Sequence, residues 1–139
     1  MATQVFISCD TELSALLYQR GASARANYDA SITGRTTAGD YGIGWQMDRL
    51  EENGLKGAFF VDPMPALVHG RQIVADIVGP ILSRGHEVQL HIHTEWLELH
   101  AHAVAHALDG ELGGVVPAAH RLVDFAAHRG HVEDTAAAL

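Results

Sequence analysis

Three short apolar runs, separated by segments with helical periodicity, constrain the fold of this chain most strongly. The runs cover residues 4–9, 57–61 and 87–92. The second run is continuously apolar, which is typical of a strand covered on both faces. The resulting order of strand, helix, strand, helix, strand predicts an α/β fold with a parallel sheet and right-handed crossovers.

The segments between the later runs predict two helices. Apolar side chains recur on one face of residues 43–53, and Gly54 suits the left-handed residue that ends a helix. A second helical pattern covers residues 73–82 and contains Gly79-Pro80, which should kink or divide it. Both helices would pack against the predicted sheet.

Residues 13–40 carry a weaker signal. They are rich in Gly, Ser, Thr, Asn and Asp, and predict mostly a long loop with a short helix near residues 14–17. A loop of this length is unusual in a compact domain unless it is functional.

Potential metal ligands and other polar side chains lie at or just beyond the end of each of the three runs. They are Asp10 and Glu12, then Asp62, then His91, His93 and Glu95. Because the carboxyl ends of parallel strands meet at one edge of a sheet, the three groups should share that edge. Alternation along a strand also puts His91 and His93 on one face. Two imidazole nitrogens and a carboxylate oxygen suit a divalent cation such as zinc.

Several side chains have structural interpretations. Trp45 is expected in the core, and the ring of His86 is expected to pair with the backbone near the start of a strand. Trp96 is interpreted as a packing residue, and the alternative is a platform that contacts a sugar ring of the substrate. Asp62 has two equal interpretations, capping of the loop at Pro63 or a place beside the metal site, where it could contact substrate.

Composition excludes several classes of function. The chain has 139 residues, a net charge of −8 and a single lysine. Without a basic patch, neither nucleic acid nor an anionic membrane surface is an expected partner. Cys9 is the only cysteine, so an internal disulfide and a cysteine-rich zinc site are excluded. With no signal-peptide pattern and no apolar stretch near the ~18 residues of a membrane span, a cytoplasmic location is expected.

Three blocks of the sequence resemble the NodB-like polysaccharide deacetylases, which form carbohydrate esterase family 4. Residues 6–12 end a strand-like run in an acidic pair, where the family has Thr-Phe-Asp-Asp-Gly. Residues 50–61 are similar to the family's helix before an Ala-Thr-Phe-Phe strand, and residues 85–91 to its Gly-His-Glu-Ile-Gly-Asn-His. Order and spacing agree over roughly residues 4–98. The resemblance implies part of a NodB-type (β/α) barrel.

The resemblance also implies an activity. The family hydrolyses amide C–N bonds with one divalent metal, and removes N-acetyl or related acyl groups. The implied substrate is therefore a carbohydrate or a small amide. Asp10 matches the family's general base, and His91 matches its first metal histidine.

Two other family positions are altered. The metal aspartate falls on Thr11, so Glu12 is the substitute from the same strand face as Asp10. The second metal histidine falls on Glu95, so the ligand is either Glu95 or, after a local shift, His93.

The character of the chain changes after the third block. Residues 97–139 contain eleven alanines and six of the ten histidines. We therefore expect a partial deacetylase-like domain at 1–98 and a mainly helical or irregular tail at 99–139, with a helix near 118–128. The later motifs of the family have no match in the tail. The alternative is thus a non-catalytic α/β remnant that binds metal or associates with itself as a homo-oligomer.

Overall fold

The computed structural model describes residues 5–111, in which strands alternate with helices. The chain divides into two units, Met1–Ala103 and Val104–Leu139, and the first contains the sheet. Its elements are β1 (Ser8–Thr11), α1 (Ala15–Gln19), α2 (Ala24–Ser31), β2 (Arg35–Thr36), β3 (Gly39–Asp40), α3 (Ile43–Glu52), β4 (Ala58–Val61), α4 (Ala66–His69), α5 (Arg71–Ser83), β5 (Glu87–Leu90) and α6 (Glu95–Glu111), which continues past the first unit. The helix expected near 118–128 lies outside the described residues. In the described part, no helix is both long enough and apolar enough to cross a bilayer.

The central sheet has three parallel strands in the order β1-β4-β5. Cys9 pairs with Phe59, and Phe59 pairs with Val88. The predicted α/β fold with a parallel sheet is therefore confirmed. Among residues 5–111 this sheet is open, with β1 and β5 as its edges, and it does not close into a barrel. A short antiparallel ladder of β2 and β3 is separate from it.

One face of the sheet packs against the apolar core. Phe59 is buried there, and Cys9 and Val88, its neighbours in the ladder, pack against the same core. α5 contributes Ile77 and Ile81, which are both 0% exposed. Burial of each such side chain stabilises the fold by about 1.5–3 kcal/mol relative to its exposure.

β1 begins later in the chain than the sequence predicted. A buried strand was expected over residues 4–9, yet Phe6 is 71% exposed and precedes the strand. The cause is tertiary, because pairing starts where β4 provides a partner, with Ser8 beside Ala58. As a result, the paired part of β1 ends at Thr11, the residue directly before Glu12.

Residues 13–40 do not form the predicted long loop, but α1, α2 and the ladder of β2 and β3. Their polar side chains stabilise helix ends. Ser14 and Ser23 each accept, through Oγ, the backbone N–H three residues further on, at 3.2 Å. Asn27 is fully buried and joins the two helices through two hydrogen bonds with the backbone of Ser14. A composition typical of loops here reflects helix caps and a buried amide.

α3 confirms the helix predicted over residues 43–53, and the φ of Gly54 is +67° after its end. Met47 faces the core as predicted. Trp45 is 44% exposed, so its expected core position is wrong. It lies two residues before Met47 and therefore points away from the buried face. Its ring meets that of Tyr41 with centroids 6.0 Å apart.

α5 runs undivided through Pro80, although the sequence predicted a kink or a division there. A proline within a helix frees the carbonyl four residues earlier, which here belongs to Asp76. The hydroxyl of Tyr28 donates to that carbonyl at 3.2 Å. The unpaired acceptor is thus satisfied from α2, which a sequence pattern does not reveal.

His86 connects the starts of β4 and β5 to α3. Its side chain is fully buried, and its Nδ1 accepts the backbone N–H of Gly57 at 3.2 Å, as expected of a ring that pairs with the backbone. Its Nε2 lies 3.1 Å from Oε1 of Glu51. Because Nδ1 accepts, the ring carries its proton on Nε2 and donates it to Glu51. A hydrogen bond from Arg84 lowers the pKa of Glu51 to about 2, and the bond from His86 acts in the same direction.

Candidate metal centre

The carboxyl ends of the three parallel strands meet at one edge of the sheet. Two backbone hydrogen bonds complete the ladder at this edge, at the pairs of Thr11 with Val61 and of Val61 with Leu90. The amide of Asp62 donates to the carbonyl of Thr11 at 3.2 Å. The amide of His91 donates to the carbonyl of Val61 at 3.1 Å. Glu12, Asp62 and His91 therefore take corresponding positions, each directly after the last paired residue of its strand. Corresponding positions of neighbouring parallel strands face the same side of a sheet.

Three side chains converge at this edge, those of Glu12, His91 and His93. The Nε2 atoms of the two histidines are 2.8 Å apart. Oε2 of Glu12 lies 3.4 Å from Nε2 of His91 and 2.5 Å from Nε2 of His93. β5 ends at Leu90, so both histidines follow the strand that was predicted to reach residue 92. The three side chains could hold a metal ion.

The separations in this cluster are close to those around a bound ion. Tetrahedral coordination with bonds of about 2.0–2.1 Å puts ligand atoms roughly 3.3 Å apart. The contact of Glu12 with His91 has this length. The contacts of His93 with Glu12 and with His91 are shorter than this length by less than ~1 Å. Without an ion, the 2.8 Å distance between the two imidazole nitrogens fits a hydrogen bond in which one ring carries its proton on Nε2. With both of these nitrogens unprotonated, the cluster could hold a cation after a small movement of side chains.

Glu95 contacts His93 on the side of the ring away from the cluster. Its Oε2 is 3.5 Å from Nδ1 of His93, whereas Nε2 of that ring faces Glu12. A carboxylate behind an imidazole fixes the proton on the rear nitrogen and so orients the other nitrogen toward a metal. The sequence left Glu95 and His93 open as alternatives for one ligand. The structure brings His93 into the cluster and Glu95 behind it.

The remaining two predicted carboxylates have different surroundings. Asp10 is exposed on β1 and, by strand alternation, on the same face as Glu12, but it is not part of the cluster. Asp62 is 0% exposed, and its Oδ1 accepts the backbone N–H of Met64 at 2.9 Å. This bond is the loop capping that the sequence offered as one interpretation. Complete burial leaves Asp62 without the surface that contact with a substrate requires.

Trp96 is part of the core. It is 0% exposed, and its ring centroid lies 5.8 Å from that of Tyr18 and 6.0 Å from that of His69. A ring buried in this way presents no face to a sugar, which corrects the substrate-contacting role and agrees with the packing interpretation. Since Trp96 adjoins Glu95, its packing also anchors the turn that supports His93.

Sequence reasoning missed this aromatic cluster of Tyr18, His69 and Trp96. The rings of Tyr18 and His69 meet edge-on with centroids 5.1 Å apart. Burial lowers the pKa of His69, and its Nε2 is buried without a hydrogen-bond partner among the described residues. The three rings come from α1, α4 and α6, and no spacing in the sequence connects them.

Comparison of the chain with models of protein families, with curated proteins and with solved structures found no significant match. The fold and the site define the chain as a parallel α/β protein with a candidate metal centre at the carboxyl edge of its sheet.

Proposed function

We propose that this protein is a metal-dependent hydrolase of amide C–N bonds, similar to the NodB-like polysaccharide deacetylases. The proposed substrate is an N-acetylated carbohydrate or a small amide. The observation that carries the proposal is the convergence of Glu12, His91 and His93 at the carboxyl edge of a parallel sheet. In this proposal the three strands are the first strands of a NodB-type (β/α) barrel.

The proposed ion is zinc, because two imidazole nitrogens and one carboxylate oxygen form a donor set that suits it. Such an ion polarises a carbonyl group and lowers the pKa of a coordinated water toward 7. Glu12, His91 and His93 bind the ion in this scheme, and Glu95 orients the ring of His93.

Asp10 is the proposed general base. It lies on the face of β1 that also carries Glu12, two residues before it, and its carboxylate is exposed to solvent. It would accept the proton of the attacking water, a step that typically contributes 10²–10⁴-fold to the rate.

Metal binding is tested by calorimetric titration of the full chain with zinc. We expect one site, whose binding is lost in His91→Ala and in Glu12→Gln. His102→Ala is the matched control, because His102 is an exposed histidine on α6. The absence of zinc binding to the wild-type chain, or equal loss in the control, would contradict the proposed site.

Activity is tested next, on the zinc-loaded chain with N-acetylated oligosaccharides and simple acetamides. Release of acetate that depends on zinc and falls by at least ~100-fold in Asp10→Asn supports the hydrolase and its base. Zinc binding without acetate release would instead favour the second candidate, a non-catalytic metal-binding protein.

The open sheet provides the observation in favour of that second candidate. Among residues 5–111, β1 and β5 are each paired on one side only. Leu90 and Ile92, at the β5 edge, are 66% and 53% exposed. Unpaired strand edges with apolar side chains favour association between chains. Light scattering at increasing concentration would detect the homo-oligomer that this candidate predicts.

A further inference from the structure

We infer that Asp62 is a further residue of the metal centre, whose buried negative charge is balanced by the bound ion. The inference rests on the proposed metal site. Asp62 directly follows the middle strand of the sheet, and the neighbouring strands are followed by Glu12 and His91, which are both in the cluster. The amide of Asp62 bonds to the carbonyl of Thr11, and the amide of His91 bonds to the carbonyl of Val61. Corresponding positions on neighbouring parallel strands face the same side of a sheet.

The two carboxylate oxygens of Asp62 are used unequally. Oδ1 accepts the N–H of Met64, whereas Oδ2 is buried and has no hydrogen-bond partner among the described residues. In that part of the chain, no basic side chain forms an ion pair with Asp62 either. A buried carboxylate oxygen without a partner is strongly unfavourable, and such groups in native proteins usually have a compensating ligand or ion.

Glu12, which follows the strand next to that of Asp62, also has a buried carboxylate oxygen. Its Oε2 is buried and accepts no hydrogen bond from the described residues, although two imidazole nitrogens are near it. Two adjacent strand ends therefore each hold a buried carboxylate oxygen that lacks a donor. A divalent cation bound at the cluster would supply the positive charge that stabilises both carboxylates.

Asp62 acts from outside the ligand set. The donor atoms of Glu12, His91 and His93 lie within 4.8 Å of one another, and Asp62 is not in this group. Its carboxylate therefore stabilises the ion through its charge, since Oδ1 is bonded to Met64 and Oδ2 has no hydrogen-bond partner among the described residues. Loss of an outer carboxylate of this kind typically weakens metal binding by 10- to 100-fold.

The test compares zinc titrations of the full wild-type chain and Asp62→Asn. The amide has the shape of the carboxylate and an oxygen that can accept the Met64 bond, but it lacks the charge. We expect its zinc dissociation constant to be about 10- to 100-fold higher. The circular-dichroism spectrum of metal-free Asp62→Asn should match that of the wild type, so that a lower zinc affinity reflects the site and not loss of the fold.

Asp76→Asn is the control for net charge, because Asp76 is an exposed aspartate on α5. We expect it to change the dissociation constant by less than ~3-fold, since solvent screens an exposed charge. Zinc affinity in Asp62→Asn equal to that of the wild type would overturn the inference. So would an equal loss of zinc affinity in Asp76→Asn, because the effect would then follow the net charge and not the position of Asp62.

The outcomes separate this inference from the proposed function. If the wild-type chain binds no zinc, both fail. If zinc binding requires His91 but is unaffected in Asp62→Asn, only the inference about Asp62 fails. If Asp62→Asn does not fold, Asp62→Ser retains a hydroxyl that can accept the Met64 bond. Failure of both variants to fold, with and without zinc, would also overturn the inference, because the carboxylate would then be needed for the fold itself.

Discussion

Replacement of His86 by alanine should destabilise the protein by about 2–4 kcal/mol. The variant leaves the N–H of Gly57 buried without an acceptor, which costs about 1–3 kcal/mol. It also removes the edge-on contact of the imidazole with Phe59, whose centroid is 5.5 Å away, and such contacts contribute roughly 0.5–1.5 kcal/mol. Loss of the bond to Glu51 adds little, because solvent can replace it at that carboxylate.

The same substitution should weaken the metal site at the other end of β5. His86 and Gly57 form the contact at the start of β4 and β5, and so help to fix the register of these strands. A slip by one residue would turn His91 to the opposite face of the sheet. We therefore expect zinc affinity to fall together with stability.

Urea unfolding followed by circular dichroism measures the loss of stability, with His102→Ala as a control at an exposed histidine. A typical domain has only about 5–15 kcal/mol of stability, so the expected shift in the midpoint is large. A loss below ~1 kcal/mol, together with unchanged zinc affinity, would refute the assignment of His86 as the link between these strands.

Two further predictions follow from contacts around the site and the sheet. In Glu95→Gln, the zinc dissociation constant should rise by about 10- to 100-fold, because the carboxylate that orients His93 is lost. An unchanged dissociation constant in calorimetry would show that the 3.5 Å contact between Glu95 and His93 has no such role. Stability to urea should also fall as the pH is lowered from 4.5 toward about 2, since Arg84 lowers the pKa of Glu51 in the folded protein from 4.5 to about 2. A carboxyl group with a lowered folded-state pKa stabilises the fold fully above its unfolded pKa, and this contribution is lost as the pH falls through the folded value. Glu51→Gln should flatten this part of the pH profile, and a profile identical to that of the wild type would contradict the explanation.

The two tryptophans show that a sequence pattern does not predict which isolated aromatic side chain is buried. Trp45 was expected in the core and is exposed, whereas Trp96, a candidate for substrate contact, is completely buried. A hydrophobic pattern identifies a helix and its apolar face, but an isolated aromatic residue beside that face can lie on either side. Which ring is buried depends on the elements that pack beside it, here α1 and α4 around Trp96.

The segment that contains Ser14, Ser23 and Asn27 illustrates a second limit. The same side chains favour turns and helix caps, because in both cases they bond to nearby backbone groups. The sequence therefore could not distinguish a loop from two short capped helices. The bonds of Asn27 to Ser14 form only when both helices are in place.

The sequence by itself determined the parallel α/β order and the edge at which Glu12, His91 and His93 meet. Both follow from local properties, namely the period of apolar side chains and the rule that parallel strands end on one side. The tertiary structure alone decided that His93 faces the cluster with Glu95 behind it. It also decided that Asp62 is buried, with one carboxylate oxygen that has no hydrogen-bond partner in the part of the chain that the structure describes. These features depend on distances of a few ångströms between residues far apart in the chain, which strand register and side-chain packing set and no local pattern encodes.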